Sequence, residues 1–232
     1  MKLTKPINFQ IVEVLSRVLN QERVSRERFS LEIPERDAAN GLYAAMKAEV
    51  EYRGGRFLPD DDTKKHILEA ARWLVNPNEK NGLMLCGLCG NGKTTLAKAI
   101  ARLVSFVTER ECGYAEMKTI RFRTAKQICR LCTVSDKFKQ QYNEYDSLFK
   151  EPMLIIDDLG EEPKEVMVYG MIHTPIIDLI TERYANQLMT IVTTNLDTDE
   201  LEKKYGQRIC DRFSEMLTSI VFVNESYRTT KR

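Results

Sequence analysis

Apolar residues recur along this chain with two different periods, and the switch between them divides it. Near the amino terminus Ile7, Ile11, Val14, Leu15 and Val18 recur at spacings of three and four, the period of one helical face, and a charged stretch follows to about Glu35. A second helical run covers Ala38 to about Tyr52 and stops at Gly54-Gly55. A third follows Pro59 and ends near Asn76-Pro77; Asp60, Asp61 and Asp62 stand at its start, where the helix dipole favours negative charge.

From Gly82 onward short apolar runs alternate with longer helical ones, the pattern of parallel strands joined by crossover helices. The runs Leu83 to Cys86, Thr119 to Arg123, Met153 to Ile156, Met189 to Thr193 and Ser219 to Val223 read as strands, and continuous apolar character in several predicts burial on both faces. The expected fold is therefore α/β: a five-stranded, mostly parallel sheet flanked by helices and preceded by a small helical segment. We place the helical amino-terminal segment, a partner-docking piece, at residues 1–58 and the main domain at 59–232.

Composition narrows the setting without changing that picture. A chain of 232 residues with 43% hydrophobic and 30% charged residues suits one α/β domain plus a small accessory piece. A net charge of +1 selects no class of partner. No apolar run reaches the length of a membrane span, and the first residues lack the apolar core and cleavage site of a secretory signal. The expectation is a cytoplasmic protein with no membrane partner.

Two motifs carry chemistry. Gly87-Leu88-Cys89-Gly90-Asn91-Gly92-Lys93-Thr94 fits GxxxxGK[ST] between an apolar strand and a helix beginning near Lys93. Gly87, Gly90 and Gly92 allow the backbone to wrap a polyphosphate, with N–H groups from Gly90 to Thr95 converging at a helix amino terminus. Lys93 adds charge for the β- and γ-phosphates, and the Thr94 hydroxyl suits Mg²⁺. The second motif, Met153-Leu154-Ile155-Ile156-Asp157-Asp158, delivers two carboxylates at the carboxyl end of a strand, the edge where open α/β sheets bind ligands. Asp157 would hold Mg²⁺ and Asp158 would position or activate the attacking water. Together they predict a P-loop protein that binds and hydrolyses ATP.

With these motifs in place, the chain from about Gly82 to Arg228 resembles an AAA+ ATPase, and within that class the replicative helicase loaders of the DnaC and DnaI type and the related IstB transposition ATPases. The resemblance rests on the two motifs, on Leu159-Gly160, on Thr193-Thr194-Asn195, on the segment Gly206 to Phe213, and on the closing Asn224-Glu225-Ser226-Tyr227-Arg228. It implies that Asn195 is the polar sensor of the γ-phosphate or attacking water. It also implies that Arg212 is the arginine finger reaching the ATP of a neighbouring subunit, with Arg208 four residues earlier as the alternative. A finger in trans implies an ATP-dependent homo-oligomer, and the family implies a replicative helicase or a transposase as partner, with single-stranded DNA. Two departures stand out. Asp158 occupies a position where many AAA+ proteins carry Glu, which suits slow hydrolysis, and about 37 residues after Asn195 are too few for a full helical lid.

Lys118 to Lys139 holds seven basic residues against the single acid Asp136, a local charge of +6, and by analogy with loaders and initiators this segment faces DNA. Arg123, Lys126 and Arg130 are its candidate phosphate contacts, and Tyr142 and Tyr145 are candidates for base stacking or for packing. Cys86/Cys89 and Cys129/Cys132 have CxxC spacing, yet Cys89 lies inside the phosphate loop, so reduced, packed thiols are expected rather than zinc. His66 and His173 lack metal-ligand companions, and Trp73 reads as core or as a neighbour of the adenine.

Overall fold

The computed structural model describes residues 13, 14, 17, 28–113, 117–133, 139–224, 226 and 227, with the side chains of 139–143 set aside. The helical pattern through Ile7, Ile11, Leu15 and Val18, together with Lys137, Arg228 and the side chains of Lys139 and Tyr142, lies outside the described residues.

Two helices, α1 (Glu35–Tyr52) and α2 (Asp61–Val75), precede strand β1 (Gly82–Gly87). The remaining elements are α3 (Lys93–Cys112), β2 (Arg121–Thr124), α4 (Ala125–Thr133), α5 (Lys139–Lys150), β3 (Met153–Leu159), β4 (Val166–Val168), β5 (Met171–His173), α6 (Pro175–Ala185), β6 (Met189–Thr194), α7 (Thr198–Tyr205), α8 (Gln207–Met216) and β7 (Leu217–Phe222). All five expected strands form, in the order β2-β3-β6-β1-β7, and every pairing in the sheet is parallel. The short antiparallel hairpin β4-β5 has no counterpart in the expectation from sequence, because its three-residue strands are too brief to show a period. Among the described residues no helix follows β7, and no helix is long and apolar enough to cross a membrane.

Alternation along each strand builds two cores, one on each face of the sheet. Leu83, Leu85, Met153, Ile155, Ile191, Ile220 and Phe222 join Leu42, Leu74, Leu96 and Ile100 from α1, α2 and α3. Met84, Leu154, Ile156 and Val192 point the other way, onto Ile128, Leu179, Ile180, Ile209 and Phe213 from α4, α6 and α8. Successive strand side chains leave on opposite faces, so strands apolar at every position demand helices on both sides.

Helix boundaries follow local chemistry. Asp60 caps α2 by accepting from Thr63 N at 2.8 Å, and Asp197 and Glu200 close a reciprocal capping box on α7. Arg183 is a different device: it is fully buried on α6 and bonds a hydroxyl and several backbone carbonyls. Its guanidinium donates to Thr190 Oγ1 (2.9 Å), to the carbonyls of Leu148 (2.9 Å) and Glu151 (2.8 Å), and to Met189 O (2.6 Å). Those bonds satisfy carbonyls at and just beyond the end of α5 and tie that helix to β6.

The α1 helix is part of this core. Leu31, Ala38, Leu42 and Met46 share one cluster with β1 and α3, and Glu49, also buried, pairs with Arg102 of α3 at 2.6 Å. Residues 28–58 and the chain after them thus pack as a single body. Leu42→Ala is accordingly expected to destabilise the whole protein by about 2–5 kcal/mol, and denaturant unfolding followed by fluorescence should show one shifted transition rather than separate loss of an amino-terminal piece.

Candidate functional site

The order β3-β6-β1 brings three strand ends side by side at the carboxyl edge of the sheet: the phosphate loop after β1, Asp157 near the end of β3, and Thr193 and Thr194 closing β6. Ordinary pairing would send Asp157 and Asp158 to opposite faces. Instead the register slips between Ile156 and Leu159, so that two residues of β3 oppose one of β6, and Asp158 adopts a left-handed φ of 54°. Asp157 consequently turns inward, 4% exposed, while Asp158 stays exposed at the edge of a cavity.

Asp157 Oδ1 accepts the hydroxyl of Thr94 at 2.8 Å and that of Thr193 at 2.7 Å. Thr193 Oγ1 accepts in turn from the Asp158 backbone N–H at 2.9 Å. One buried threonine therefore orients both acids, and the first residue after the Lys93 start of α3 is joined to the end of β3. Oxygen donors on Asp157 and Thr94, already in contact, suit a hard divalent cation such as Mg²⁺.

The phosphate loop is pinned from below. Gly87, Gly90 and Gly92 all have positive φ, and Gly87 sits so close to β7 that a Cβ there would come within 2.2 Å of Phe222 O. Gly90, Asn91, Gly92, Lys93, Thr94 and Thr95 line the cavity, and Gly87 is not among its lining residues. The buried Asn91 donates to Phe222 O (3.3 Å) and accepts at its carbonyl from Asn224 (3.2 Å). Lys93 folds its ammonium onto the loop, donating to Gly87 O and Leu88 O at 2.6 Å each and to Asn91 Oδ1 at 3.0 Å. Burial lowers the Lys93 pKa from the ordinary lysine value, opposed by the neighbouring thiols and by the carboxylates of Asp158 and Asp157.

The cavity, of about 260 Å³, extends from this loop to residues of which the sequence flags only Asp158, Asn195 and, in the closing motif, Tyr227. Met46 and Val50 of α1, Phe57 and Leu58 of the following loop, and Tyr227 form an apolar wall; Arg53 and Arg56 add positive charge, and Asn195 lines the cavity too. Tyr227 N–H donates to Gly90 O at 3.1 Å, and its hydroxyl lies 2.8 and 2.9 Å from the two carboxylate oxygens of Asp60 and 2.7 Å from Thr63 Oγ1. Burial and the bond to Asp60 push the Tyr227 phenol up to about 12, so it stays a protonated donor at neutral pH. For Asp60, burial works upward, but the bonds from Thr63 and Tyr227 outweigh it and hold the carboxyl below the usual range. The wall residues from α1 carry only the helical apolar period, which marks core and not cavity. Tyr227 stood in the closing motif, and that motif was the one signal available for it.

Other sequence candidates fall elsewhere. Arg212, on α8, donates to Thr181 Oγ1 and lies with its guanidinium 5.4 Å from the centre of the Tyr184 ring, outside its own chain's cavity; Arg208 is exposed. In the basic segment, Arg121 bonds Glu144 (3.0 Å) and Glu151 (3.3 Å), Arg123 pairs with the same Glu144, and Lys126 pairs with Glu161 at 3.1 Å. The local charge of +6 omitted these acids because they come from α5 and the segments flanking β3. Arg130 is exposed on α4. Tyr145 is buried with its hydroxyl on Pro175 O at 3.1 Å, a packed residue. Trp73 is core, donating to Lys80 O at 3.0 Å. Cys129 and Cys132 are buried, burial pushing the Cys129 thiol up to about 12; Cys86 is half-buried and Cys89 exposed. Among the described residues no His, Cys, Asp and Glu cluster fits a metal.

Lys93→Ala is expected to remove saturable uptake of labelled ATP, measured by titration with magnesium present. Thr193→Val takes one donor from a buried carboxylate and the acceptor from the Asp158 N–H, and should cost about 1–3 kcal/mol in denaturant unfolding.

Comparison with known proteins agrees with this architecture. The crystal structure of the DnaC helicase loader is similar, with 25% sequence identity and a TM-score of 0.55, over 72% of this chain and 93% of that one. The crystal structure of DnaI aligns with a TM-score of 0.54 at 22% identity, over 87% of this chain and 100% of that one. A search of curated proteins gave no match. The fold is that of a P-loop AAA+ ATPase. The family model for the IstB-like ATP binding protein matches residues 2–232, and the chain belongs to that family.

Proposed function

We propose that this protein is a slow, assembly-dependent ATPase that loads a replicative helicase during DNA replication. The observation that carries the ATPase reading is the joining of Thr94, Asp157 and Thr193 at three adjacent strand ends, beside a phosphate loop that ends on a helix amino terminus. Thr94 and Asp157 would hold Mg²⁺, which would supply charge neutralisation for the phosphate tail.

The chain's own groups do the rest. Lys93 exchanges its bonds to the carbonyls of Gly87 and Leu88 for phosphate oxygens, whose negative charge makes the stronger partner. Asp158, at the cavity edge, positions the attacking water and takes its proton. Asn195, at the end of β6, contacts the γ-phosphate or that water. The apolar wall of Met46, Val50, Phe57 and Leu58 takes the base. Arg212, whose side chain rests on α6 of its own chain, serves the site of a neighbouring copy, so hydrolysis needs a homo-oligomer.

The likeness to the DnaC helicase loader supports a replicative helicase as partner; single-stranded DNA is the further partner in this reading, and the amino-terminal segment, residues 1–58, supplies the docking element. Arg123, Lys126 and Arg130 are the DNA contacts in this reading, Arg123 and Lys126 exchanging acidic partners for phosphates. A second reading, an ATPase that regulates transposition, is favoured by the family model matching residues 2–232. Copurification with a hexameric helicase rather than a transposase separates the two.

Arg212→Ala should lower hydrolysis by about a thousandfold or more while leaving ATP affinity unchanged. Mixing it with Asp158→Ala should restore activity, because each chain supplies what the other lacks. Normal turnover by Arg212→Ala alone removes the residue from this role.

A further inference from the structure

The turn that follows Asp158 contains a carboxylate that the proposed chemistry does not use. The Glu162 side chain is fully buried, a position that carboxylates occupy only when paired. Glu162 Oε2 accepts from Gly160 N–H at 2.8 Å, and Oε1 accepts the hydroxyl of Tyr205, with the Lys204 ammonium 3.4 Å away. Lys204 also donates to the carbonyls of Gly160 and Glu162, the latter at 2.6 Å. Every partner belongs either to this turn or to the last two residues of α7.

The cluster reaches in two directions. Toward the nucleotide, Gly160 has φ +109°, and a Cβ there would lie 2.7 Å from the Leu196 side chain, next to Asn195; Thr194 Oγ1 bonds Leu159 O at 2.7 Å. Toward the neighbouring subunit, Tyr205 is buried with its ring edge-on to Phe213 at 6.4 Å, and Phe213 is adjacent to Arg212 on α8. A single residue, Gly206, separates α7 from α8.

We propose that Glu162 is a positioning residue: through Tyr205 and Lys204 it fastens the turn bearing Asp158 to the α7-α8 pair, so that one rigid element presents both the chain's own water-orienting acid and the arginine offered to the next site. The inference rests on the ATPase reading above and deepens it, because it makes the state of one site felt by the helix that completes its neighbour.

The test uses the full chain with Mg²⁺ and ATP. Tyr205→Phe removes one hydroxyl and keeps the ring, and Glu162→Gln keeps an acceptor for Gly160 N–H. Each should lower kcat about tenfold, the equivalent of one hydrogen bond to a charged group, with KM and ATP affinity within about twofold of wild type. The double variant should fall little below either single one, since both break the same link. In the mixture of Arg212→Ala with Asp158→Ala chains, Tyr205→Phe should lower the restored rate whichever component carries it. Unchanged kcat in Tyr205→Phe and Glu162→Gln, with wild type turning over ATP, overturns the inference and leaves the ATPase reading standing. So does a loss confined to ATP affinity or to the thermal midpoint, which marks a purely structural role. Absence of hydrolysis by wild type at any protein concentration overturns the ATPase reading, and the inference with it.

Discussion

The carboxylate of Asp157 is the point on which the site depends. It is buried, and a buried charge needs donors; the two it has come from the start of α3 and from the end of β6. Satisfying that charge fixes the phosphate loop, the acidic strand and β6 relative to one another. The bulge in β3 follows from the same demand. Regular pairing would send the two acids to opposite faces of the sheet, whereas a single inserted residue and one left-handed φ turn Asp157 inward and keep Asp158 at the cavity edge.

Around that centre the cavity is assembled from the two ends of the described chain. Helix α1 and the loop after it form one wall, and Tyr227 closes another by bonding both the loop carbonyl of Gly90 and the cap of α2. With no helix after β7 among the described residues, a hydrogen-bonded strap stands beside the phosphate loop. The same tail pins Asn91 through Asn224, so the end of the chain shapes the loop as well as covering it.

The side of the sheet formed by α4 to α8 carries a different kind of order. Arg183 ties α5 to β6 from within, and Glu162 ties the turn after β3 to α7. Both are buried charged groups satisfied by several partners, an arrangement that specifies geometry more than it adds stability. The basic segment shows the converse. Arg121, Arg123 and Lys126 meet glutamates brought in from elsewhere in the chain, so these three positive charges are paired.

The sequence by itself determined the layered α/β architecture, the five strands, the phosphate loop and the acidic strand end, because each is written in local periods or short motifs whose chemistry needs contiguous residues. It could not reveal the hairpin, the bulge that buries Asp157 and leaves Asp158 exposed, or the bonds of Thr193 to both, since these depend on which strand lies beside which. Met46, Val50, Phe57 and Tyr227 became cavity residues only through folding, as an apolar side chain facing a ligand and one facing a core follow the same period. Charge was the least legible feature: a residue's sign is local, but its partner is chosen by tertiary contact, and for Arg123 and Glu162 that choice was made many residues away.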